Sequence, residues 1–334
     1  MDAIQKSKID EVAILGWGTY GFVATIPNSK YAWKFLKPTS NISFIRELVA
    51  LKYTTNCKNC VDVENIDFVN FYDYDEKTKQ LSEYKKWYFC ITMEKYKNVQ
   101  TVQNYKEKLQ ILLDVAVALS SIHKKNLIHR DVKEENFLYS VVNGVKRGIL
   151  ADFSLSKVSV LGLPATPNVC TASHRPPELF VANKKELIYN NQIDSWGFGI
   201  SFLNIMTGYN MYTLYKSENE FIEVIKTDAV GHAKFLMDKY ITNSAETPLI
   251  PDYIKLLELL LISECNRISM GEAIVIILDM AKKHKIDLHY IDDIESEPVI
   301  CMQLNRRLTK LKLKNLHIDY RPVKIDPVLV EYQD

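Results

Sequence analysis

The segment HRDVKEEN, residues 129–136, contains the residue types needed to transfer a phosphoryl group to a hydroxyl. Asp131 can accept the proton of an attacking hydroxyl, a role that typically contributes about 10²–10⁴ in rate. Lys133 can neutralise the transferring group, and Asn136 can ligate magnesium. Residues of these types at this spacing arise by chance in very few chains, on the order of one in several hundred. The segment therefore predicts a phosphotransfer site.

A second segment, LGWGTYGFV, places Gly16, Gly18 and Gly21 in the spacing G-x-G-x-x-G-x-V. Glycine allows a backbone to approach phosphates closely. Alone the pattern is weak, because three fixed glycines recur by chance in roughly one chain in ten of this length. A dinucleotide site would need a helix directly after the glycines, whereas FVATIPNSKYAWKFL continues as strand, turn and strand. The pattern favours a flap folded over a nucleotide.

Lys34 lies in the strand that follows this flap, with apolar residues on both sides. A buried ammonium group needs a partner. Glu47, in the helical segment FIRELVALKY, is the natural candidate. The sequence therefore predicts an ion pair between Lys34 and Glu47.

The elements that position these residues change in type along the chain. The first 95 or so residues are mostly strands, interrupted by one helix at 44–53; the predicted strands are 11–18, 31–36, 69–76 and 87–96. Helical periodicity begins near Val102, and residues 105–125 repeat apolar positions at three and four. A hairpin with an Asn143-Gly144 turn follows, then helices to about residue 285. This order predicts an α+β architecture of two lobes with a cleft between them.

Together these motifs resemble the eukaryotic-type protein kinase family over residues 9–285. The matching positions, in the family's order, are the glycine segment, Lys34, Glu47, HRDVKEEN, Asp152-Phe153, Pro177-Glu178, Asp194 to Gly199, and Arg267. The resemblance implies a bilobal kinase fold, with a small N-lobe at about 9–96 and a helical C-lobe at about 97–285. It also implies ATP bound in the cleft, with Mg²⁺ as its companion ion.

The resemblance also assigns roles. Catalysis falls to Asp131, Lys133, Lys34 and Glu47, and the metal ligands are Asn136 and Asp152. The implied ATP-binding residues are Leu15, Gly16, Gly18, Gly21, Val23, Ala32, Lys34, Glu94 and Tyr96, with Met93 as gatekeeper. By the same resemblance Asp194 braces the catalytic segment, and Glu178 pairs with Arg267.

Smaller features of the resemblance concern the substrate and regulation. Lys133 and Thr171 are typical of serine/threonine kinases, which implies a protein substrate. The block TASHRPPEL is similar to that of the cyclin-dependent and mitogen-activated group, in which Arg175 implies tolerance of proline after the acceptor. Glu135 could instead favour a basic residue upstream. Thr166 stands where such kinases carry an activating phosphate, which Arg130 would grip, although an ordinary loop threonine is a competing interpretation.

Ser154 is the main departure from the family, because glycine follows Asp-Phe there. Serine keeps the metal ligand Asp152 and removes only backbone latitude, so we expect a stiffer loop and an active enzyme. The alternative is a pseudokinase, a nucleotide-binding scaffold without turnover. A small-molecule kinase of related fold is disfavoured by the Pro177-Glu178 and Thr171 features.

The whole-chain properties add exclusions. The 334 residues carry a net charge of +1, which predicts neither nucleic-acid nor membrane binding. The start lacks the apolar run of a signal peptide, and the longest apolar stretches fall short of the ~20 residues that span a bilayer. We expect an intracellular protein, cytoplasmic or nuclear. Six irregularly spaced cysteines fit reduced thiols, Cys57 and Cys60 included.

The last part of the chain is expected to lie outside the kinase-like region. Residues 286–334 are predicted to be a linker and a tail that packs on the main body or binds a regulatory protein. Within the tail, RRLTKL could carry a phosphorylation site at Thr309 or serve as a docking peptide, although a solvated basic face is the more common use of such a patch.

Overall fold

A computed structural model describes most of the chain before the predicted tail. The described residues are 2–18, 20–37, 41–54, 56–57, 59–75, 77–159, 170–180 and 190–290. Thr166 and Thr309 lie outside these ranges, as do residues 291–334.

The first lobe is built on a five-stranded antiparallel sheet with the strand order β1-β2-β3-β5-β4. The strands are β1 (Ala13–Gly18), β2 (Gly21–Thr25), β3 (Tyr31–Leu36), β4 (Val63–Asp75) and β5 (Gln80–Glu94). Two helices belong to this lobe, α1 (Asp2–Lys6) and α2 (Asn41–Thr54). The sequence predicts the helix at 44–53, and the observed helix is longer at its start.

Alternation along β3 decides which side of the sheet each residue serves. Trp33 and Phe35 are buried in an aromatic cluster on one face, where Phe35 stacks on Phe71 at 4.4 Å. Ala32 and Leu36 belong to the main core on the opposite face. Because successive side chains of a strand point to opposite faces, Lys34 projects on the same side as Ala32 and Leu36, toward the second lobe.

The second lobe is helical, as the sequence predicts. Its helices are α3 (Tyr105–Lys124), α4 (Gln192–Thr207), α5 (Glu218–Thr227), α6 (Ala229–Tyr240), α7 (Ile250–Leu260) and α8 (Met270–Lys283). Helix α4 is apolar around most of its circumference and fully buried from Ile193 to Met206. In the described part of the chain, no helix has the length and apolarity required to cross a membrane.

Short strands line the cleft side of this lobe. They are β6 (Lys97–Asn98), β7 (Leu127–Ile128), β8 (Phe137–Val142), β9 (Val145–Leu150) and β10 (Lys157–Val158). They form a three-stranded sheet in the order β6-β8-β9 and a two-stranded ribbon of β7 and β10. Asn143 (φ 51°) and Gly144 (φ 81°) make the predicted primed turn between β8 and β9. The predicted two-lobed α+β fold is therefore confirmed.

Candidate active site

Lys34 lies between two carboxylates that reach it from different elements. Its Nζ donates to Glu47 Oε2 at 2.7 Å and to Glu47 Oε1 at 2.8 Å, and to Asp152 Oδ1 at 2.9 Å. Burial favours the neutral amine, but the Asp152 and Glu47 carboxylates outweigh it and hold the pKa of Lys34 above its usual value. Burial raises the pKa of Glu47 despite the adjacent ammonium. The predicted Lys34–Glu47 pair is present, and Asp152 completes it as a triad.

Ser154 contacts the triad through its hydroxyl. Its Oγ donates to Asp152 Oδ1 at 2.6 Å, and its backbone N–H donates to the same oxygen at 3.2 Å. Burial alone would raise the pKa of Asp152, but the Lys34 ammonium and the Ser154 hydroxyl hold it below its usual range. Ser154 is absent from the residues with positive φ, so its backbone adopts a conformation that any L-residue accepts. The serine therefore fits this site without backbone strain.

Asp131 is held by Thr171 and Lys133 on the other side of the cleft. Thr171 Oγ1 donates to Asp131 Oδ1 at 2.7 Å, and Lys133 Nζ lies 2.8 Å from Asp131 Oδ2. Lys133 Nζ also donates to Thr171 Oγ1 at 3.0 Å. Burial lowers the pKa of Lys133, but the Asp131 and Asp152 carboxylates more than reverse this and raise it. The Ala151 backbone N–H donates to the Asn136 carbonyl at 3.0 Å, which places Asp152 of the Lys34 triad beside the loop that carries Asp131.

Asn136 is tied to the same loop from the opposite side of Asp131. Its Nδ2 donates to the Asp131 carbonyl oxygen at 2.8 Å and lies 3.4 Å from Asp131 Oδ2. An amide whose NH₂ is engaged in this way presents its carbonyl oxygen to other partners. Carboxylate and amide oxygens are ligands that Mg²⁺ accepts. Asn136 and Asp152 are thus the residues whose chemistry fits a bound magnesium ion.

Asp194 braces the start of the catalytic segment from the buried helix α4. Its Oδ1 accepts the Arg130 backbone N–H at 2.8 Å, and its Oδ2 accepts the His129 backbone N–H at 2.8 Å. His123 Nε2 lies 2.8 Å from the same Oδ2. These contacts hold Arg130 at φ 66°, a left-handed conformation that is costly for a residue with a side chain. The Arg130 Nε donates to the Leu155 carbonyl at 2.6 Å.

The glycines of the flap have different neighbours. A Cβ on Gly21 would collide with the Phe35 carbonyl on β3, so this position requires glycine for the packing of the sheet. A Cβ on Gly16 or Gly18 would meet nothing within 4 Å. The structure itself therefore does not require glycine at those two positions, which lie over open space. Leu15 beside them is half exposed.

The remaining predicted nucleotide-site residues lie around the floor of this space. Val23 pairs with Lys34 and Ala32 pairs with Met93 in the sheet register. Ala32 and Met93 are buried, Val23 packs against them as part of the main core, and Tyr96 is half-buried beside the same core. Glu94, the last residue of β5, is exposed. The sheet thus brings Val23, Ala32 and Met93 close to Lys34.

A buried link between the catalytic segment and the TASHRPPEL block was not predicted. His174 Nε2 lies 2.6 Å from Glu134 Oε2, and Asn204 Nδ2 donates to Glu134 Oε1 at 3.0 Å. Burial opposes ionisation of Glu134, but the His174 hydrogen bond outweighs it and lowers the pKa of that carboxyl. In the same block Arg175 Nη2 donates to the Cys170 carbonyl at 3.1 Å. Nothing in the spacing of His174, Glu134 and Asn204 along the chain indicates that they meet.

Glu178 and Arg267 form the pair that the resemblance implies. Arg267 is fully buried, and its Nη1 and Nη2 donate to the two carboxylate oxygens of Glu178 at 2.7 and 3.0 Å. Its guanidinium also lies 5.0 Å from the centre of the Trp196 ring. This cluster ties the segment before α4 to the segment before α8, well within the helical lobe.

Comparison with known families gives one match. The family model described as "protein kinase domain" matches residues 9–276. Among curated relatives, cyclin-dependent kinase-like 4 of Mus musculus is 25% identical over 224 residues, which is 66% of this chain and 63% of that protein. Aurora kinase of Candida glabrata is 27% identical over 220 residues, 64% of this chain and 58% of that protein.

A third relative has the same relation. MAP kinase-interacting serine/threonine-protein kinase 2 of Xenopus laevis is 25% identical over 217 residues, covering 59% of this chain and 44% of that protein. In all three cases the match spans less than two thirds of the relative's own length.

Proposed function

The chain belongs to the protein kinase family, and we propose that it is an active serine/threonine protein kinase that transfers the γ-phosphoryl group of ATP to protein hydroxyls with the help of Mg²⁺. The observation that carries the proposal is the pair of charged clusters facing one space. Lys34 bridges Glu47 and Asp152 on one side, and Asp131 is bridged by Lys133 and Thr171 on the other.

On the nucleotide side, Lys34 positions the α and β phosphates and Glu47 fixes the direction of its ammonium group. The glycine segment covers the phosphates through Gly16 and Gly18, where the backbone borders open space. Asn136 and Asp152 supply oxygens to Mg²⁺, which would neutralise charge on the phosphates when bound. All described hydrogen bonds of Asp152 go to Oδ1, so Oδ2 is the oxygen offered to the ion.

On the substrate side, Asp131 orients the attacking hydroxyl and takes its proton. Lys133 lies next to it with a raised pKa, because the Asp131 and Asp152 carboxylates overcome the effect of burial, and it remains charged at neutral pH. A charged Lys133 can neutralise the phosphoryl group during transfer. Thr171 holds Asp131 and Lys133 in one arrangement, which supports serine or threonine as the acceptor.

The scaffold alternative centres on Ser154. A pseudokinase would keep the nucleotide-binding residues and lack turnover. Ser154 instead hydrogen-bonds the metal-binding carboxylate and adopts an unstrained backbone conformation. Lys34 contacts Asp152, and Asp131 contacts Lys133 and Thr171. These retained contacts also favour an enzyme.

The regulatory part of the proposal concerns the segment between Asp152-Phe153 and Pro177-Glu178, which contains Thr166. We propose that Arg130, whose Nε donates to the Leu155 carbonyl, binds the charge that phosphorylation adds to Thr166. Arg175 supports tolerance of proline after the acceptor, and Glu135 supports the alternative of a basic residue upstream. The kinase unit is proposed to span residues 9–285, with residues 286–334 as a linker and a tail that packs on the main body or binds a regulatory protein. The proposed setting is the cytoplasm or nucleus.

The test is transfer of labelled phosphate from ATP to a generic basic protein by the full chain, with Asp131→Asn as the comparison. We expect transfer by the wild type, near-background transfer by the variant, and a rise in melting temperature with ATP and Mg²⁺ for both. Equal background for the two proteins, with the thermal shift retained, would establish the scaffold alternative.

A further inference from the structure

The turn between α2 and β4 brings two cysteines together beside both lobes. Cys57 follows the end of α2, and its backbone N–H donates to the Thr54 carbonyl at 2.8 Å. Cys60 closes the turn, with its N–H donating to the Cys57 carbonyl at 3.1 Å. Leu150 pairs with the far side of the turn as an isolated bridge to Cys60. The turn is therefore anchored at both ends by backbone hydrogen bonds.

The two sulfur atoms of this turn are in contact. Cys60 Sγ donates to Cys57 Sγ at 3.0 Å. Cys57 is half-buried, and Cys60 behind it is 4% exposed. An outside reagent therefore reaches Cys57 first, and Cys60 is the thiol in position to respond.

The protonation of the pair matches this division. The hydrogen bond from Cys60 outweighs burial and lowers the pKa of Cys57 to about 7. Lys125 and Ser121, at the end of α3, act in the same direction. The same hydrogen bond together with burial raises the pKa of Cys60. A thiolate is the reactive form of cysteine, so one sulfur is prepared to attack while the other keeps its proton.

We propose that Cys57 and Cys60 form a peroxide-sensitive dithiol, which is a site of reversible oxidation to an intramolecular disulfide. The Cys57 thiolate attacks one oxygen of hydrogen peroxide, the O–O bond breaks, and the leaving hydroxide takes a proton to become water. Cys57 is then a sulfenic acid. The Cys60 sulfur attacks the Cys57 sulfur, the S–O bond breaks, and the departing hydroxide leaves as water with the Cys60 proton. Two thiols and one peroxide thus yield one disulfide and two waters.

The geometry requires only a small movement. A disulfide bond is about 2.0 Å long, so sulfurs that start 3.0 Å apart approach by about 1 Å. Rotation of the two side chains can supply this movement while the hydrogen bonds of the turn stay in place. The backbone of the turn therefore need not rearrange.

The other described cysteines lack these features. Burial raises the pKa of Cys90 and of Cys170, which makes both poor nucleophiles. Cys265 is exposed, and its sulfur lies 3.8 Å from the Ser263 hydroxyl. Cys265 is thus the matched control, an accessible thiol that has no sulfur beside it in the described residues.

The cysteine pair lies in a segment that contacts both lobes. The turn follows α2, which carries Glu47, and it pairs with the end of β9, two residues before Asp152. The Val61 backbone N–H donates to the Leu150 carbonyl at 2.9 Å, which extends this connection. The dithiol therefore lies between two of the elements that place the Lys34 triad.

The test is treatment of the full chain with a small excess of hydrogen peroxide, followed by alkylation of remaining thiols and peptide mapping by mass spectrometry. We expect the peptide containing both cysteines to lose two hydrogen atoms and escape alkylation, and dithiothreitol to restore both thiols. A sulfinic acid on Cys57 with Cys60 still alkylated, a disulfide to any other cysteine, or no reaction would each overturn the proposal.

Two variants make the test sharper. In Cys60→Ser the Cys57 sulfenic acid has no second thiol to react with, so we expect dimedone to label it. Dimedone should label little of the wild type. Cys265→Ser should oxidise like the wild type. Equal dimedone labelling in the wild type and in Cys60→Ser would show that Cys60 does not resolve the sulfenic acid, and would reject the dithiol.

Discussion

Asp152 and Asp194 are two carboxylates of the same lobe that differ in the use of their oxygens and in exposure. Both have a lowered pKa, because hydrogen bonds and nearby positive charge outweigh burial. Asp194 uses both oxygens, which accept the backbone N–H groups of His129 and Arg130 and contact His123. The described hydrogen bonds of Asp152 all converge on Oδ1. The Asp152 side chain is 37% exposed, against 1% for Asp194.

This difference distinguishes a carboxylate that can bind a metal ion from one that only stabilises the fold. A carboxylate whose oxygens are all engaged by its own chain can only stabilise that chain, and it fixes the φ of 66° at Arg130. A carboxylate with one oxygen toward the cleft can also bind an ion. The shift in pKa has the same direction at both sites, so it does not identify the functional carboxylate. The hydrogen-bond partners of each carboxylate oxygen identify it instead.

The largest effect should come from removing the charge of Asp152. Asp152→Asn keeps the shape of the side chain but weakens the proposed metal site, and we expect kcat to fall about 10³-fold because charge at the transferring phosphate loses its stabilisation. The melting temperature should fall less than in Asp194→Asn, because Lys34 keeps its ion pair with Glu47. Steady-state kinetics and thermal unfolding measure the two quantities. Asp238→Asn, on the exposed side of α6, is the matched control, and a loss no greater than this control shows would contradict the assignment.

The opposite profile is expected for Asp194. Asp194→Asn keeps one acceptor oxygen but turns an NH₂ group toward backbone donors, leaving buried polar groups without partners. We expect the free energy of unfolding to fall by about 3–5 kcal/mol, as when one member of a buried pair is lost. Urea unfolding measures it. A fully stable variant with reduced kcat alone would remove the distinction between the two carboxylates.

The pH dependence of stability should follow the same residue. Because the pKa of Asp194 is lowered on folding, its contribution is complete above the unfolded value of about 3.9 and is lost as pH falls through that value toward the folded one. Wild-type stability should therefore drop steeply below about pH 5. The acid limb should be shallower in Asp194→Asn, measured by urea unfolding from pH 3 to pH 7. Parallel limbs would mean that Asp194 is not stabilised as an anion.

Thr171 tests whether positioning around Asp131 matters beyond the charge. Thr171→Val removes the hydrogen bond to Asp131 Oδ1 and leaves the Lys133 ion pair in place. We expect kcat to fall about 10-fold, since a hydrogen bond to a charged group contributes about 1.5–3 kcal/mol. Thr171→Ser keeps the hydroxyl and should recover most of the rate. If the serine variant is as slow as the valine variant, the hydroxyl alone does not hold Asp131, which would contradict the proposed role of this hydrogen bond.

Much of this site could be predicted because the residue needed at each position follows from its local surroundings. A lysine inside an apolar strand needs an acid, and Glu47 was the acid on the neighbouring helix. The His174–Glu134–Asn204 link could not be predicted, because its members are 40 and 70 residues apart and share no periodicity. The contact between two sulfurs of the C-x-x-C segment also depends on the turn that folding creates.

The strands show a related limit. The sequence predicts strands at 69–76 and 87–96, but β4 and β5 are longer and pair from Val63 to Asp75 and from Gln80 to Glu94. Most residues at the start of both strands are exposed, so no alternation of buried and exposed residues marks them. Hydrophobic periodicity detects only the later part of each strand, where residues pack on a core.

The smallest effect is expected at Ser154, and it tests how the metal-side carboxylate is held. Ser154→Gly removes the hydroxyl that donates to Asp152 Oδ1 and adds backbone freedom, whereas Ser154→Ala removes only the hydroxyl. We expect kcat to change by less than about five-fold in either variant, since about 1 kcal/mol is at stake.

Hydrogen exchange at residues 152–156 separates the two contributions of Ser154. Ser156 Oγ donates to the Phe153 carbonyl at 2.7 Å, and Phe153 is fully buried, so the segment is held at several points. Faster exchange in the glycine variant alone would mean that the backbone restriction stiffens the loop. Equal acceleration in both variants would assign the stiffness to the hydroxyl. Unchanged exchange in both variants would show that Ser154 does not help to position Asp152. The Lys34 ion pair alone would then hold this carboxylate.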